Sequence, residues 1–318
     1  MNIYKEVINA RDRIKPFIKI TDAEYSPYLS KITRGDIYLK LENTQYSGSF
    51  KLRGACNKIL SLNEEEKSRG LITASSGNHG AAFAFMVDKL GLKGTIYLPE
   101  NASKAKIEAL NQYKIDLELF GSDTIETELH AINIAEASGK TFISPYNDPK
   151  VIGGQGTIGL ELSDQVKELD AVFVPVGGGG LVAGIAGFLK EVNPKITIIG
   201  CQPLNSPVMY ESIKAGRIIE MESLPTLADG SAGGIEPGSI TFEPCRDLVD
   251  HYVILSEDEI AASLKLMIEK HCILMEGASA MSVAALLREK DHYENKKVAL
   301  VITGKKITIE NLKLVISI

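Results

Sequence analysis

The chain has 318 residues, of which 44% are hydrophobic and 24% are charged, a composition typical of one large globular domain or two smaller ones. With 35 basic and 41 acidic side chains its net charge is −6, which predicts a small metabolite rather than nucleic acid as the partner. The four cysteines form no CxxC pair, so we expect a reducing cytoplasm and neither a disulfide framework nor a zinc site.

The predicted elements alternate between helices and strands. The N-terminal segment MNIYKEVINARDRIKPF predicts an amphipathic helix rather than a secretory signal, because charges interrupt its apolar residues. Strand patterns then recur between longer helical patterns, at residues 36–41, 71–74, 95–98, 115–120, 141–144, 171–176, 196–201, 252–255 and 298–303. This alternation predicts an α/β protein with parallel sheets covered by helices on both faces. The alternating sequence YLKLE predicts a strand near a sheet edge.

Grouping of the strands predicts two domains. Four strand signals lie between residues 65 and 145 and predict a small inserted α/β domain, while residues 1–64 and 146–318 form a larger, discontinuous one. The predicted architecture is two open twisted sheets flanked by helices, with a ligand cleft lined by loops at the carboxyl ends of the strands. Residues 171–189 carry no charge, but Pro175 and several glycines interrupt them and exclude a membrane span.

A run of glycines separates the strand pattern 171–176 from the helical pattern 181–192, and consists of Gly177, Gly178, Gly179 and Gly180. Glycines let backbone N–H groups converge and the start of a helix adds positive potential, so this loop predicts a phosphate site. A tight turn with close strand–helix packing is the alternative, because the loop is neither a GxGxxG fingerprint nor a Walker motif.

A polar turn, TASSGNHG at residues 73–80, connects another strand to a helical pattern. Ser75 and Ser76 could cap that helix, which is the simpler interpretation. With Asn78 and His79 the turn carries more polar side chains than one cap needs, which favours binding of a carboxylate.

Lys51 follows Phe50 directly, before a predicted helix. A single lysine is usually solvated, but one desolvated in the cleft would have a lowered pKa and act as a nucleophile toward an aldehyde.

Thr303 ends the last predicted strand, where its hydroxyl could form a hydrogen bond with a ligand. Lys305 and Lys306, which follow it, predict a solvated turn. A nucleophilic amine, a phosphate cradle, a carboxylate site and a hydroxyl are together what pyridoxal phosphate requires.

On these residues the chain resembles the fold-type II pyridoxal-phosphate enzymes, and within them the serine/threonine dehydratases and serine racemase. The motifs SFKLRGA, SSGNHG, GGQGTIGLE and PVGGGG carry the resemblance, which runs from Ile37 to Gly304. It implies a tryptophan synthase β-like fold, pyridoxal 5′-phosphate as the cofactor, an amino-acid substrate and a homodimer.

The resemblance implies a role for each cofactor candidate. Lys51 would hold the cofactor covalently and Phe50 would pack against its ring. Asn78 would bond the 3′-oxygen, and Thr303 would face the pyridine nitrogen. The glycines from Gly177 to Gly180 would bind the phosphate.

By the same resemblance, four residues of the polar turn would bind the substrate carboxylate: Ser75, Ser76, Asn78 and His79. Ser76 is also where the racemase carries its second acid/base. Glu276 would lie near the cofactor, although a charge at a helix N-terminus explains it equally well.

Departures from the family bear on function. Gln202 and Val208 stand where members with a divalent-cation site carry acidic residues, so we expect no metal. Lys305 and Lys306 replace the usual Gly-Asn and change the charge near the pyridine nitrogen. The segment DGSAGGIEPG, at residues 229–238, resembles the hydroxyectoine-utilisation dehydratases, so a dehydratase of that pathway is an alternative.

The implied activity is that of a dehydratase, or ammonia-lyase, which converts a β-hydroxy amino acid such as L-threonine or L-serine to a 2-oxo acid and ammonia. Racemisation by Lys51 and Ser76 is the nearest alternative, and β-replacement is disfavoured by His79, where that branch carries threonine. A binding module without turnover is the alternative from another class. The chain ends at Ile318, soon after Thr303, so we expect no appended domain for feedback control by isoleucine.

Overall fold

The structure is a computed structural model that describes residues 1–122 and 124–317. Within these ranges the strands are β1 (Ala23–Tyr25), β2 (Asp36–Leu41), β3 (Leu71–Ala74), β4 (Gly94–Leu98), β5 (Asp116–Leu119), β6 (Thr141–Phe142), β7 (Ala171–Pro175), β8 (Thr197–Pro203), β9 (His251–Leu255) and β10 (Lys297–Ile302). The α-helices there are α1 (Ile3–Ile14), α2 (Pro27–Thr33), α3 (Lys51–Ser61), α4 (Glu64–Arg69), α5 (Asn78–Leu90), α6 (Lys104–Asn111), α7 (Thr124–Ser138), α8 (Pro149–Gln165), α9 (Gly180–Val192), α10 (Val208–Ala215), α11 (Phe242–Asp247), α12 (Glu257–His271), α13 (Gly277–Arg288) and α14 (Ile309–Ser317).

The strands form two sheets. The larger has the order β1-β2-β10-β7-β8-β9 and the smaller the order β5-β4-β3-β6. All neighbouring strands are parallel except β1 and β2, which are antiparallel. The predicted α/β class, with two sheets flanked by helices, is confirmed. Strand β1 was not predicted. Because it pairs with β2, the YLKLE strand is second from the edge of the sheet.

Both faces of the large sheet are buried. Along β7, Val172 and Val174 contribute to the core under α1, α8 and α9, while Ala171 and Phe173 contribute to the core under α2, α12 and α13. Successive side chains of a strand point to opposite faces, so a strand buried on both sides is apolar throughout. The uncharged stretch 171–189 accordingly forms β7, the glycine turn and much of α9. None of the helices in the described ranges is both long and apolar enough to cross a bilayer.

Close packing of α3 on α8 positions the start of α3. A Cβ on Gly154 would lie 2.4 Å from the carbonyl oxygen of Arg53, and one on Gly54 would lie 2.4 Å from Nε2 of Gln155. These glycines allow a helix approach that larger residues would block. The GGQGTIGLE motif therefore serves the packing of α8 against α3, the helix that begins at Lys51.

Candidate active site

Loops at the carboxyl ends of β3, β7 and β10 surround one cavity, as expected for an α/β protein. The cavity is lined by Phe50, Lys51, Asn78, Tyr146, Pro175, Gly177, Gly178, Gly179, Gly180, Leu181, Gly230, Ser231, Glu276, Ala278 and Thr303. All the residues that the sequence suggested as cofactor contacts are in this set. Of the four residues expected to bind the substrate carboxylate, Asn78 lines this cavity, whereas Ser75, Ser76 and His79 do not.

The loop before Lys51 is held by the end of β10. The Phe50 N–H donates to the carbonyl of Thr303 at 3.0 Å, and Ser49 and Gly304 form an isolated β-bridge. These backbone contacts bring the first residue of α3 next to the hydroxyl that follows β10.

The surroundings of the Lys51 amine favour its unprotonated form. It donates to the carbonyl of Pro145 at 2.9 Å and lies 5.3 Å from the centre of the Phe50 ring. Burial lowers the pKa of Lys51 to about 8, although Glu276 and Glu128 act in the opposite direction. More of the amine is therefore unprotonated near neutral pH than in an ordinary lysine, as attack on an aldehyde requires.

The glycine loop is shaped so that only glycine fits. Gly179 has φ +87°, and a Cβ there would lie 2.6 Å from Sγ of Cys245. A Cβ on Gly178 would lie 2.6 Å from the Tyr146 ring. Gly180 begins α9, whose N-terminus has no side-chain cap. The backbone N–H groups at this helix start are thus available to an anion.

Glu276 connects two sides of the cavity. Its Oε1 accepts from the Thr303 hydroxyl at 2.8 Å and its Oε2 accepts from Nδ2 of Asn78 at 2.7 Å. The side chain is buried, and burial raises the pKa of Glu276 while the two hydrogen bonds oppose that effect. The sequence left two interpretations of Glu276 open, a place near the cofactor and a charge at a helix start. The Glu-Gly-Ala motif was the available signal, but no local spacing predicts contacts with residues so distant in the chain.

The polar turn at residues 75–79 is not a side-chain cap. Helix α5 begins at Asn78, and its N-cap, Gly77, makes no side-chain hydrogen bond. Ser75 Oγ instead accepts from the Gly77 N–H at 3.2 Å. The simpler capping interpretation is therefore wrong, and the N–H groups of this helix start are free of side-chain caps.

His79, in the same turn, is buried and uncharged. Its Nε2 lies 2.9 Å from the carbonyl oxygen of Ile143, so this nitrogen carries the proton. Its Nδ1 is buried without a hydrogen-bond partner in the described part of the chain. Burial, assisted by the charge of Lys51, lowers the pKa of His79 to about 3. The ring is thus a neutral hydrogen-bond acceptor rather than a cation.

A buried ion network anchors the first turns of α3. Arg53 donates to Glu161 at 2.6 Å and to Glu42 at 2.8 Å, and Lys40 donates to Glu161 at 2.6 Å. Arg53, Lys40 and Glu42 are fully buried. Buried charges of this kind are stable only when paired and hydrogen-bonded. The network therefore fixes the helix that carries Lys51.

The cavity fits pyridoxal phosphate. It offers the Lys51 amine, a glycine cradle that any Cβ would disturb, and a buried Asn78 Oδ1 that has no hydrogen-bond partner in the described residues. Gln202 is uncharged, and its Oε1 accepts from the backbone N–H of Tyr210 at 2.8 Å. No cluster of three or more potential ligands for a metal ion occurs within residues 1–122 and 124–317.

Comparison with known proteins identifies the family of the chain. Residues 14–304 match the model of the pyridoxal-phosphate dependent enzyme family. The chain is 41% identical over 313 residues to the L-threonine ammonia-lyase of Thermotoga maritima, covering 98% of this chain and 78% of that protein. It is 41% identical over 309 residues to the catabolic L-threonine dehydratase of Escherichia coli, covering 96% and 94%.

Solved structures give the same result. The processed form of threonine deaminase isoform 2 from Solanum lycopersicum matches with a TM-score of 0.94 and 32% identity, covering 99% of this chain and 87% of that one. Maize serine racemase matches with a TM-score of 0.92 and 31% identity, covering 99% and 96%. The chain therefore belongs to the pyridoxal-phosphate dependent enzymes. Its resemblance to the fold-type II serine/threonine dehydratases, and pyridoxal phosphate as its cofactor, are confirmed.

Proposed function

We propose that this protein is a pyridoxal-phosphate-dependent ammonia-lyase that converts a β-hydroxy amino acid, such as L-threonine or L-serine, to a 2-oxo acid and ammonia. The observation that carries the proposal is the Lys51 amine, which lines one cavity with Thr303 and the glycine loop and has a pKa lowered by burial. Identity of 41% to threonine dehydratases over nearly the whole chain supports the same reaction.

Bound pyridoxal phosphate supplies an aldehyde for the amine and a conjugated ring that delocalises charge from the substrate's α-carbon. The N–H groups of the glycine loop would hold its phosphate. Phe50 would pack against its ring, Asn78 would bond its 3′-oxygen and Thr303 would face its pyridine nitrogen. The support for these roles is that all these residues line one cavity.

Lys51 is assigned the acid–base work. Its amine takes the proton from the substrate's α-carbon, and a proton from Lys51 or from the cofactor phosphate then passes to the β-hydroxyl, which leaves as water. The unsaturated product then hydrolyses to the 2-oxo acid and ammonia. A lowered pKa suits this role, because the amine must accept a proton near neutral pH.

The substrate carboxylate is assigned to the polar turn of Ser75, Ser76, Asn78 and His79. Uncapped N–H groups at the start of α5 support this assignment, because they are suitable donors to an anion. The neutral His79 ring adds a second kind of polar contact without adding charge.

Racemisation is the second candidate, favoured by the similarity to maize serine racemase. It requires an acid/base on each face of the α-carbon, and Ser76 is the candidate opposite Lys51. Racemisation keeps the β-hydroxyl, so the two reactions have different products.

One experiment separates these functions. The holoenzyme is incubated with L-serine or L-threonine in deuterated water, and 2-oxo acid, ammonia and the configuration of the remaining amino acid are measured. The proposal predicts 2-oxo acid and ammonia in equal amounts. Inverted, α-deuterated amino acid as the main product would favour a racemase, and cofactor absorbance without any product would favour a binding module.

The organisation of the protein is also a proposal. Residues 65–145 form the small domain and residues 1–64 with 146–318 the large one, supported by the small sheet, whose strands all lie within 71–142. A cytoplasmic location is supported by cysteines that are all free. A homodimer is proposed from the family resemblance, and light scattering of the holoenzyme measures it.

A further inference from the structure

Tyr146 lines the cavity and packs against the glycine loop. The two are so close that a Cβ on Gly178 would lie 2.6 Å from the Tyr146 ring, and a Cβ on Gly180 would lie 3.0 Å from the Cβ of Tyr146. The carbonyl of the preceding residue, Pro145, accepts from the Lys51 amine at 2.9 Å. One short segment therefore contacts both the Lys51 amine and the proposed phosphate site.

The hydroxyl end of Tyr146 contacts a different element, the loop at residues 229–241 that leads into α11. This hydroxyl accepts from the backbone N–H of Glu236 at 2.8 Å. The next residue, Asn147, contacts the same loop twice. Its Nδ2 donates to Oε2 of Glu236 at 2.7 Å, and its Oδ1 accepts from the Ile240 N–H at 3.0 Å. Two consecutive residues thus hold this loop by three hydrogen bonds.

The 229–241 loop also forms one wall of the cavity, which Gly230 and Ser231 line. Between this wall and Glu236 the loop contains Gly233, with φ +120°, and Gly234. A Cβ added to either glycine would meet no atom of the described chain within 4 Å beyond its immediate neighbours. Glycines in open surroundings restrain the backbone little. The position of the wall therefore depends on the hydrogen bonds that hold the loop.

The Tyr146 hydroxyl holds the loop without taking part in proton transfer. Burial raises the pKa of Tyr146 above the ordinary tyrosine value. The hydroxyl therefore keeps its proton, and its neutral oxygen accepts from the Glu236 N–H. Phenylalanine would present the same ring to the glycine loop but would offer this N–H no acceptor. The ring and the hydroxyl consequently have separable effects.

We propose that Tyr146 is a positioning residue with two parts: its ring supports the glycine loop that binds the cofactor phosphate, and its hydroxyl, together with Asn147, holds the 229–241 loop against the substrate. This inference rests on the proposed function, which assigns the phosphate and the substrate to this cavity. Neither residue takes part in the proton transfer assigned to Lys51.

Cofactor affinity tests the role of the ring. Tyr146→Phe keeps the ring, whereas Tyr146→Leu removes it together with the hydroxyl. Spectroscopic titration of the apoprotein gives the dissociation constant for pyridoxal phosphate. Tyr146→Phe should stay within about twofold of the wild type, and Tyr146→Leu should bind about tenfold more weakly, because displaced N–H groups lose hydrogen bonds to a charged ligand. Equal affinity in all three proteins overturns the role of the ring.

Hydrogen exchange tests the role of the hydroxyl directly. Tyr146→Phe and Asn147→Ala should each speed the exchange of amides in the 229–241 loop about three- to tenfold, the usual worth of one hydrogen bond. Amides of β7 should exchange as in the wild type. Tyr25→Phe, which removes the hydroxyl of an exposed tyrosine, is the matched control and should leave the loop unchanged. Wild-type exchange of the loop in both variants overturns the role of the hydroxyl and Asn147.

An unreactive ligand measures the consequence for the substrate. L-2-Aminobutanoate has no β-hydroxyl to lose, so its binding to the holoenzyme can be followed by calorimetry. Tyr146→Phe should bind it about three- to tenfold more weakly although its cofactor affinity is retained. Adding Asn147→Ala should cost less than the sum of the single effects, since both side chains hold one loop. Wild-type affinity for this ligand in Tyr146→Phe overturns the proposal.

Turnover keeps this test distinct from the lyase proposal. With threonine as substrate, Tyr146→Phe should raise KM more than it lowers kcat. If no amino acid yields a 2-oxo acid but the effects on exchange and ligand binding are present, the lyase function fails and the role of Tyr146 stands. If the wild type and Tyr146→Phe convert threonine with the same KM and bind aminobutanoate equally, the role of Tyr146 fails and the lyase function stands. Thermal melting checks folding, and if Tyr146→Leu does not fold, Tyr146→Phe and Asn147→Ala carry the test.

Discussion

The Thr303 hydroxyl donates to Oε1 of Glu276 at 2.8 Å, and Glu276 accepts from Asn78 through its other oxygen. Thr303 and Asn78 are the residues assigned to opposite sides of the cofactor ring, its nitrogen and its 3′-oxygen. One buried carboxylate therefore holds both of these side chains in place.

Substituting Glu276→Gln should weaken cofactor binding. Glutamine keeps the size of the side chain but replaces one of the two carboxylate oxygens by an NH2 group, which cannot accept the hydrogen bond that this oxygen accepts from Thr303 or Asn78. We expect the dissociation constant for pyridoxal phosphate to rise about tenfold, as for the loss of one charge-assisted bond. A spectroscopic titration of the apoprotein measures it, with the exposed Glu310→Gln as control. Unchanged affinity in Glu276→Gln would show that the carboxylate does not orient the ring contacts.

The rate at which the apoprotein attaches pyridoxal phosphate should increase with pH through a midpoint near 8. Only the unprotonated amine attacks the aldehyde, and burial lowers the pKa of Lys51 to about 8. Below that pH the amine is mostly protonated and the reaction slows. Stopped-flow absorbance between about pH 6 and 10 follows the process, and a midpoint at the ordinary lysine value of about 10.4 would contradict it.

Replacing Gly178 by alanine should disturb the phosphate cradle. The added Cβ would lie 2.6 Å from the Tyr146 ring, so the loop or the ring must move. We expect affinity for pyridoxal phosphate to fall about tenfold or more, because displaced N–H groups lose hydrogen bonds to a charged ligand. Gly234→Ala is the control, since a Cβ there meets nothing within 4 Å. Equal affinity in the two variants would argue against this loop as the phosphate site.

Arg53→Met should destabilise the protein by about 3–5 kcal/mol, since it leaves buried Glu42 and Glu161 without their main partner. Arg69→Met removes a surface ion pair with Glu65 and should cost no more than about 0.5 kcal/mol. Urea unfolding of the holoenzyme variants compares the two. A similar cost for both would mean that the buried network contributes little to anchoring α3.

The fold was largely predictable because its signals are local. Apolar runs identified β7 and β10, and Gly or Thr at the ends of these strands marked the loops that surround the cavity. Strand β1 was missed since it has three residues and is defined by its pairing with β2.

The side-chain contacts of the site were less predictable. Asn78 and Glu276 are separated by 198 positions in the chain and meet only when both sheets have formed. Local patterns predict where a strand ends, but they do not predict which distant carboxylate reaches that end.

Production of a 2-oxo acid from L-threonine or L-serine by Lys51→Ala, in the presence of pyridoxal phosphate, tests the central claim most directly. The exposed Lys31→Ala serves as control for the loss of a lysine. We predict that Lys51→Ala lowers the rate by at least about a hundredfold, the contribution of a single acid–base group, while Lys31→Ala matches the wild type. Undiminished 2-oxo acid production by Lys51→Ala would contradict the assignment of Lys51 as the catalytic amine.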